Sequence, residues 1–163
     1  MKNWYAVYVN SKHEKKVTQN LLCQKIEAYI PIVKKQKQWS DRKKWIELPM
    51  LSGYVFVKIK LEEKFNILNH PSVLSFVKFS GIEARIKEED IEILKSVEKT
   101  GFDVTTEVNG LKLNDEVEIL QGYLKGYKGV LTQFGSENYV QIQLPSLKQN
   151  LKVKVPKNIL KIH

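Results

Sequence analysis

The 163-residue sequence predicts an α+β protein in two parts, an N-terminal antiparallel sheet with helices on one face followed by a small all-β barrel. Three observations carry this prediction. Up to about residue 98, aromatic and β-branched runs alternate with stretches of helical periodicity. Between residues 99 and 113 the periodicity lapses around Thr100-Gly101, Thr105-Thr106 and Asn109-Gly110. Beyond it, apolar runs are short and separated by turn residues, which is the signature of a small barrel. The boundaries drawn from this are 1–98 for the first domain, 99–113 for a linker and 114–163 for the second domain.

The elements follow in order. Trp4-Tyr5-Ala6-Val7-Tyr8-Val9 is a strand by composition, ended by Asn10-Ser11. Ser11 and Glu14 stand in capping-box register for a helix on which Lys12, Lys16, Asn20 and Gln24 form one polar stripe. Val17, Leu21 and Leu22 point mostly away from that stripe. Tyr29 to Val33 reads as a second strand, with Pro31 placing it at an edge. Lys34 to Glu47 alternates charge, with Trp39 and Trp45 around Ser40-Asp41-Arg42, and reads as a protruding, basic-tipped hairpin. Tyr54 to Ile59 is the third strand, Glu62 to Asn69 a short helix, and Val73 to Phe79 the fourth strand. Ile82 to Glu98 predicts an acidic helix whose apolar side is Ile86, Ile93, Leu94 and Val97, with Asp90 on a solvated face. In the second part, Glu116 to Leu120, Tyr127 to Phe134, Tyr139 to Leu144, Leu151 to Val155 and Ile159 to Ile162 are the strands. Turns fall at Gln121-Gly122, Gly135-Ser136 and Pro145-Ser146.

Charge narrows the function. Twenty-seven Lys and Arg against 18 Asp and Glu leave a net +9, and the excess is localised. From Lys12 to Lys44 ten basic residues face three acidic ones, whereas Ile82 to Glu98 carries six acidic and three basic. A basic helix stripe beside a basic loop points to nucleic acid. The tail from Ser146 holds five lysines and no acid, which serves solubility as readily as binding. One cysteine, Cys23, and three scattered histidines offer neither a disulfide nor zinc spacing, so no cofactor or metal is expected. No clustered Ser/His/Asp, Cys/His or paired-carboxylate motif supports an enzyme. No run approaches the ~18 apolar residues of a membrane span, so a cytoplasmic monomer without membrane contact is expected.

Two features ask for more than packing. Trp4 and Tyr8 share one side of the first strand, and Tyr54 and Phe56 one side of the third, while Val55, Val57 and Ile59 already supply a buried side. An aromatic face left without helices is a docking patch, unless the linker or the second domain covers it. Separately, Gly122, Gly126 and Gly129 punctuate Val117 to Val130. Gly122 suits a turn with positive φ and Gly129 a close backbone approach, and no phosphate-loop spacing is present.

The glycine stretch resembles the KOW motif, and Met1 to Glu98 resembles the NGN domain of NusG-type transcription elongation factors. Trp4-Tyr5, Leu51-Ser52-Gly53-Tyr54-Val55-Phe56-Val57 and Val73-Leu74-Ser75-Phe76-Val77-Lys78-Phe79 carry the likeness. The short linker, the total length and the Ser-Phe-Val-Lys-Phe-Ser-Gly stretch look more like the specialised RfaH and UpxY paralogues than like housekeeping NusG. The resemblance implies a ferredoxin-like NGN sheet and an SH3-like KOW barrel. It implies docking on the clamp helices of the RNA polymerase large subunit through Tyr8, Tyr54, Phe56, Val73 and Phe79. It also implies contact with the non-template DNA strand through Lys16, Asn20 and Gln24, with Arg42, Lys43 and Lys44 on phosphates. Cys23 stands where RfaH has an arginine, and Leu51-Ser52 replace the usual aromatic and proline. By the same resemblance the KOW domain grips a small-subunit ribosomal protein or the termination factor Rho, and in RfaH it can refold as a helical hairpin. The implied function is an operon-specific elongation and antitermination factor. A housekeeping NusG-like factor and an RNA-binding, ribosome-associated KOW protein are the alternatives.

Overall fold

A computed structural model describes residues 1–107, 115–134 and 137–163. In chain order its first elements are β1 (Asn3–Val9), α1 (Glu14–Cys23), β2 (Glu27–Tyr29), β3 (Ile32–Gln38), β4 (Lys43–Pro49) and β5 (Tyr54–Ile59). Then come α2 (Lys64–Leu68), β6 (Val73–Phe76), β7 (Lys78–Phe79), β8 (Ile82–Glu83), β9 (Arg85–Ile86) and α3 (Glu88–Thr100). The remaining strands are β10 (Val104–Glu107), β11 (Glu116–Ile119), β12 (Lys128–Phe134), β13 (Glu137–Leu144), β14 (Gln149–Lys154) and β15 (Leu160–Ile162). The chain is a mixed α+β protein. It divides into one unit of Met1–Pro31 with Leu51–Glu88 and another of Ile32–Met50 with Glu89–His163.

The first unit is built on an antiparallel sheet in the order β2-β5-β1-β6. The apolar, β-branched β1 takes a central place, with β5 on one side from Asn3 to Tyr8. Its other edge is shared: β6 covers Val7–Val9 and β9 covers Trp4–Tyr5. Val73 to Phe79, expected as one strand, is therefore split, because the chain leaves the sheet after Phe76 as the β7–β8 ribbon and returns as β9. Ser80 and Gly81, both at positive φ, make the two-residue turn that this excursion needs. Tyr5, Val7, Val9, Val55, Val57 and Ile59 pack with Val17 and Leu21 of α1 and Ile67 of α2, so the helices cover one face. The expected second strand also divides, since β2 ends at Tyr29 and β3 begins after Pro31 in a different sheet. Proline lacks the N–H that a continuing ladder would use.

Two local expectations at the helices change. The Ser11/Glu14 capping box does not form: α1 starts after His13 with no side-chain cap, and Glu14 is buried with Oε1 accepting the Gly53 N–H at 2.8 Å. Leu22, expected on the packing side, is exposed. The acidic helix begins at Glu88 rather than Ile82, because Ile82–Glu83 and Arg85–Ile86 are committed to strands.

The second unit contains the β3–β4 hairpin, α3 and a six-stranded antiparallel sheet in the order β10-β14-β13-β12-β11-β15. The five expected segments are all present as strands. A sixth comes from the stretch expected as linker, where Val104–Glu107 pairs with β14. Asn109-Gly110, the rest of that stretch to residue 114, and the Gly135-Ser136 turn lie outside the described residues. Val117, Ile119, Val140, Ile142, Leu151 and Val153 form the buried side of the sheet.

Candidate functional site

The register of the first sheet settles the aromatic parity. Tyr8 stands opposite Tyr54, Ala6 opposite Phe56, and Trp4 opposite Lys58, so these side chains share the face away from α1. Tyr8 and Tyr54 form a tilted ring pair at 5.0 Å between centroids, with the Tyr54 hydroxyl donating to that of Tyr8 at 3.4 Å. Tyr8 is 38% exposed, and this pair is the open end of the face. Phe56, expected on an uncovered patch, is instead fully buried beside Tyr29, whose ring centroid lies 6.3 Å away. Lys58 Nζ caps the Trp4 ring at 5.5 Å.

The other two residues expected on this surface are placed elsewhere. A register shift between Tyr8 and Val9 sets Val73 opposite Val9, which turns Val73 into the core under the helices. Phe79 lies on the β7–β8 ribbon opposite Ile82, off the main sheet. The structure thus brings Tyr8, Tyr54 and Phe56 together and separates Val73 and Phe79 from them.

On α1 the periodicity places Lys16 and Asn20 on the solvent side, and Gln24 follows as the exposed C-cap. Asn20 meets His70 across the fold, Nδ2 to Nε2, at 3.0 Å. His70 is itself fixed, since its Nδ1 accepts the Ser72 N–H at 3.1 Å, and Ser72 Oγ lies 2.9 Å from His13 Nδ1. A groove of about 540 Å³ opens beside this chain of contacts, lined by Gln24, Lys25, Lys58, Asn66, Asn69 and His70 among others. His70 carried no signal in the sequence, because its partner is fifty positions away.

The hairpin forms as expected. β3 and β4 pair from Ile32 opposite Pro49 to Gln38 opposite Lys43, and the Trp39 N–H donates to the Arg42 carbonyl at 2.8 Å to close the Ser40-Asp41 turn. Arg42, Lys43 and Lys44 are exposed, as are Trp39 and Trp45. Lys35, lower on the ribbon, pairs with Asp103 at 3.2 Å.

In the second unit Gly122 and Gly126 adopt φ of +81° and +86°, where a side chain is strained. A Cβ on Gly129 would stand 2.5 Å from the Gln141 carbonyl oxygen, so the close approach read from the sequence is present. Asp90, expected on a solvated face, is instead buried on α3, with Oδ2 accepting the Ser146 N–H at 2.9 Å. Among the described residues there is no group of three or more metal-ligating side chains, and no helix is long and apolar enough to cross a membrane.

The first unit thus presents an aromatic-edged sheet face and a polar helix stripe, and the second an exposed basic ribbon. The family model described as transcription termination factor nusG matches residues 2–95. The chain belongs to the NusG family, whose members are transcription factors and not enzymes. Among solved structures, one described as domain interaction in Thermotoga maritima NusG is similar at a TM-score of 0.64 and 22% identity, covering 99% of this chain and 97% of that one. Conformation A of an MjSpt4:Spt5 complex gives a TM-score of 0.34 at 16% identity, covering 98% of this chain and 97% of that one. Conformation B gives 0.34 at 18%, covering 98% and 95%. No curated protein matches the chain.

Proposed function

We propose that this protein is a transcription elongation and antitermination factor that docks on the clamp helices of the RNA polymerase large subunit and touches the non-template DNA strand. The observation that carries the reading is the Tyr8–Tyr54 pair at the open end of a sheet face whose other side is closed by helices. Exposed, rigid aromatic rings are the residues that anchor protein interfaces. Phe56 supports the pair from beneath, and Val73 acts only through the core. Lys16, Asn20 and Gln24 read the displaced strand, and Arg42, Lys43 and Lys44 hold its phosphates.

In modular terms we assign 1–98 to a ferredoxin-like NGN domain, 99–113 to a connecting segment that also contributes β10 to the second sheet, and 114–163 to an SH3-like KOW domain carrying Gly122, Gly126 and Gly129. The strand order β2-β5-β1-β6, one split β-α-β arrangement with a hairpin inserted, supports the first assignment. The KOW domain recruits a second machine, a small-subunit ribosomal protein or Rho. No chemistry is needed for the effect. A protein that binds the closed clamp better than the open one shifts that equilibrium by its differential affinity, which shortens pauses. The role is operon-specific, of the RfaH and UpxY kind.

Two measurements test this. Replacing Tyr8 and Tyr54 together by alanine abolishes capture of the cognate core polymerase while circular dichroism stays unchanged; retained capture sinks the docking assignment. Phe56 is left intact because truncating a fully buried ring disturbs the fold itself. Single-round transcription on templates that vary the exposed non-template strand then shows faster passage on only some of them. An equal effect on every template assigns the housekeeping role, and no effect with no complex assigns the RNA-binding one.

A further inference from the structure

The β3–β4 ribbon has no core side at its outer end: residues 36–45 are exposed without a break. Strand alternation therefore creates two solvent faces. On one, Trp39 stands opposite Arg42 with Lys37 and Lys44 behind it; on the other, Trp45 stands opposite Gln36, flanked by Lys43 and Lys34. The indoles are 52% and 66% exposed. The ribbon carries six basic residues and two acidic ones, Asp41 and Glu47, and one of the six, Lys35, is paired with Asp103. One large aromatic ring and several cations are thus repeated on opposite sides of a ribbon one strand-layer thick.

That pairing matches one kind of partner. Rings without an apolar core beneath them gain most by stacking on other π faces, and the surrounding cations call for a regular polyanion. A closed duplex hides its base faces and offers only edges and phosphates. A single strand lying on the ribbon uses one indole and leaves the other in water. A fork, where two strands diverge from the last base pair, places an unpaired base and its phosphates on each side at once. We infer that the hairpin tip is a wedge for forked DNA, with Trp39 stacking on one separated strand and Trp45 on the other. The inference rests on the proposed contact with the non-template strand and extends it to both strands at the junction.

The test uses the full chain and a forked DNA, with 2-aminopurine at the first unpaired position of one arm or the other. Wild-type protein changes the emission of both probes. Trp39→Ala removes the change on one arm and Trp45→Ala on the other, and each weakens fork binding about tenfold, a typical loss for one stacked base. Binding to a blunt duplex is unaffected by either. Phenylalanine at each position restores stacking. Removing Arg42, Lys43 and Lys44 together instead lowers the slope of log affinity against log salt by about two to three, which the indole variants leave alone. Fork and blunt duplex bound equally, both variants acting on the same arm, or an RNA fork bound as tightly as DNA would each overturn the wedge. Polymerase capture separates this failure from failure of the docking assignment. The double indole variant retains capture, and loss of capture would reassign the indoles to the protein interface.

Discussion

The Glu14 carboxylate, 2% exposed, ties the start of α1 to the turn before β5 by accepting the Gly53 N–H. Gly53 has φ of +80°, and the turn is held by that conformation, by the Tyr54 N–H donating to the Leu51 carbonyl at 3.2 Å, and by the Glu14 carboxylate. Removing the acceptor leaves the half-buried Gly53 N–H without this partner. Glu14→Ala therefore costs about 1–3 kcal/mol in urea unfolding, with the midpoint lowered and the slope unchanged, whereas Glu14→Gln keeps an acceptor oxygen and recovers most of it. The Ser11/Glu14 spacing marked Glu14 as structural, yet its partner is 39 positions away and no local pattern could name it. Gly129 is the opposite case. Its place just before a β segment already called for close approach, and the geometry supplies the carbonyl of Gln141 as the obstacle. Gly129→Ala is expected to destabilise by about 1–3 kcal/mol, because backbone cannot yield as a flexible side chain would.

At the scale of elements, the β7–β8 ribbon is pinned by Glu83. Its carboxyl is held below the usual carboxylate range, first by its own backbone N–H and then by the hydrogen bond from Lys64; burial opposes this by more than the charge of either Lys64 or Lys78 adds to it. Lys64 Nζ lies 3.2 Å and Lys78 Nζ 3.7 Å from the same oxygen. A depressed folded-state pKa means that the unfolded chain takes up the proton first as pH falls. The contribution of Glu83 is therefore complete above the ordinary Glu value of about 4.3 and fades as pH drops through the lower folded value. Thermal unfolding of wild type and Glu83→Gln should differ near neutrality and converge in acid; a gap that persists or widens there would contradict the assignment. The Ser80-Gly81 turn was not read from the sequence, because a two-residue strand on either side is too short for periodicity to mark. The Lys34 to Glu47 hairpin was legible because seven-residue strands and a polar turn leave a long pattern.

For the whole molecule, the division into units departs from the order of the chain. The hairpin and α3 group with the six-stranded sheet, and within that unit Asp90 of α3 accepts the Ser146 N–H. Hydrogen bonds to a buried carboxylate are among the stronger kind. Asp90→Ala should cost about 1.5–3 kcal/mol and should raise the hydrogen-exchange rate of the Ser146 amide in particular; unchanged protection there would show that the bond contributes nothing. Lys35–Asp103, half-exposed, contributes little, and its removal is expected to stay within about 1 kcal/mol.

The sequence alone determined the α+β class, most strands of the two larger sheets though neither β9 nor β10, the basic hairpin, the glycine roles at 122 and 129, and the side of the sheet on which Tyr8, Tyr54 and Phe56 sit. Each of these follows from alternation, composition or steric need within a few residues. Only tertiary structure decided that Phe56 is buried while Tyr8 is open, that Val73 turns inward at a register shift, that β6 and β9 share one edge of β1, and that Asp90 and Glu14 are buried acceptors. These depend on which distant segment arrives opposite a residue, and side-chain burial and hydrogen-bond satisfaction are set by that meeting rather than by local pattern.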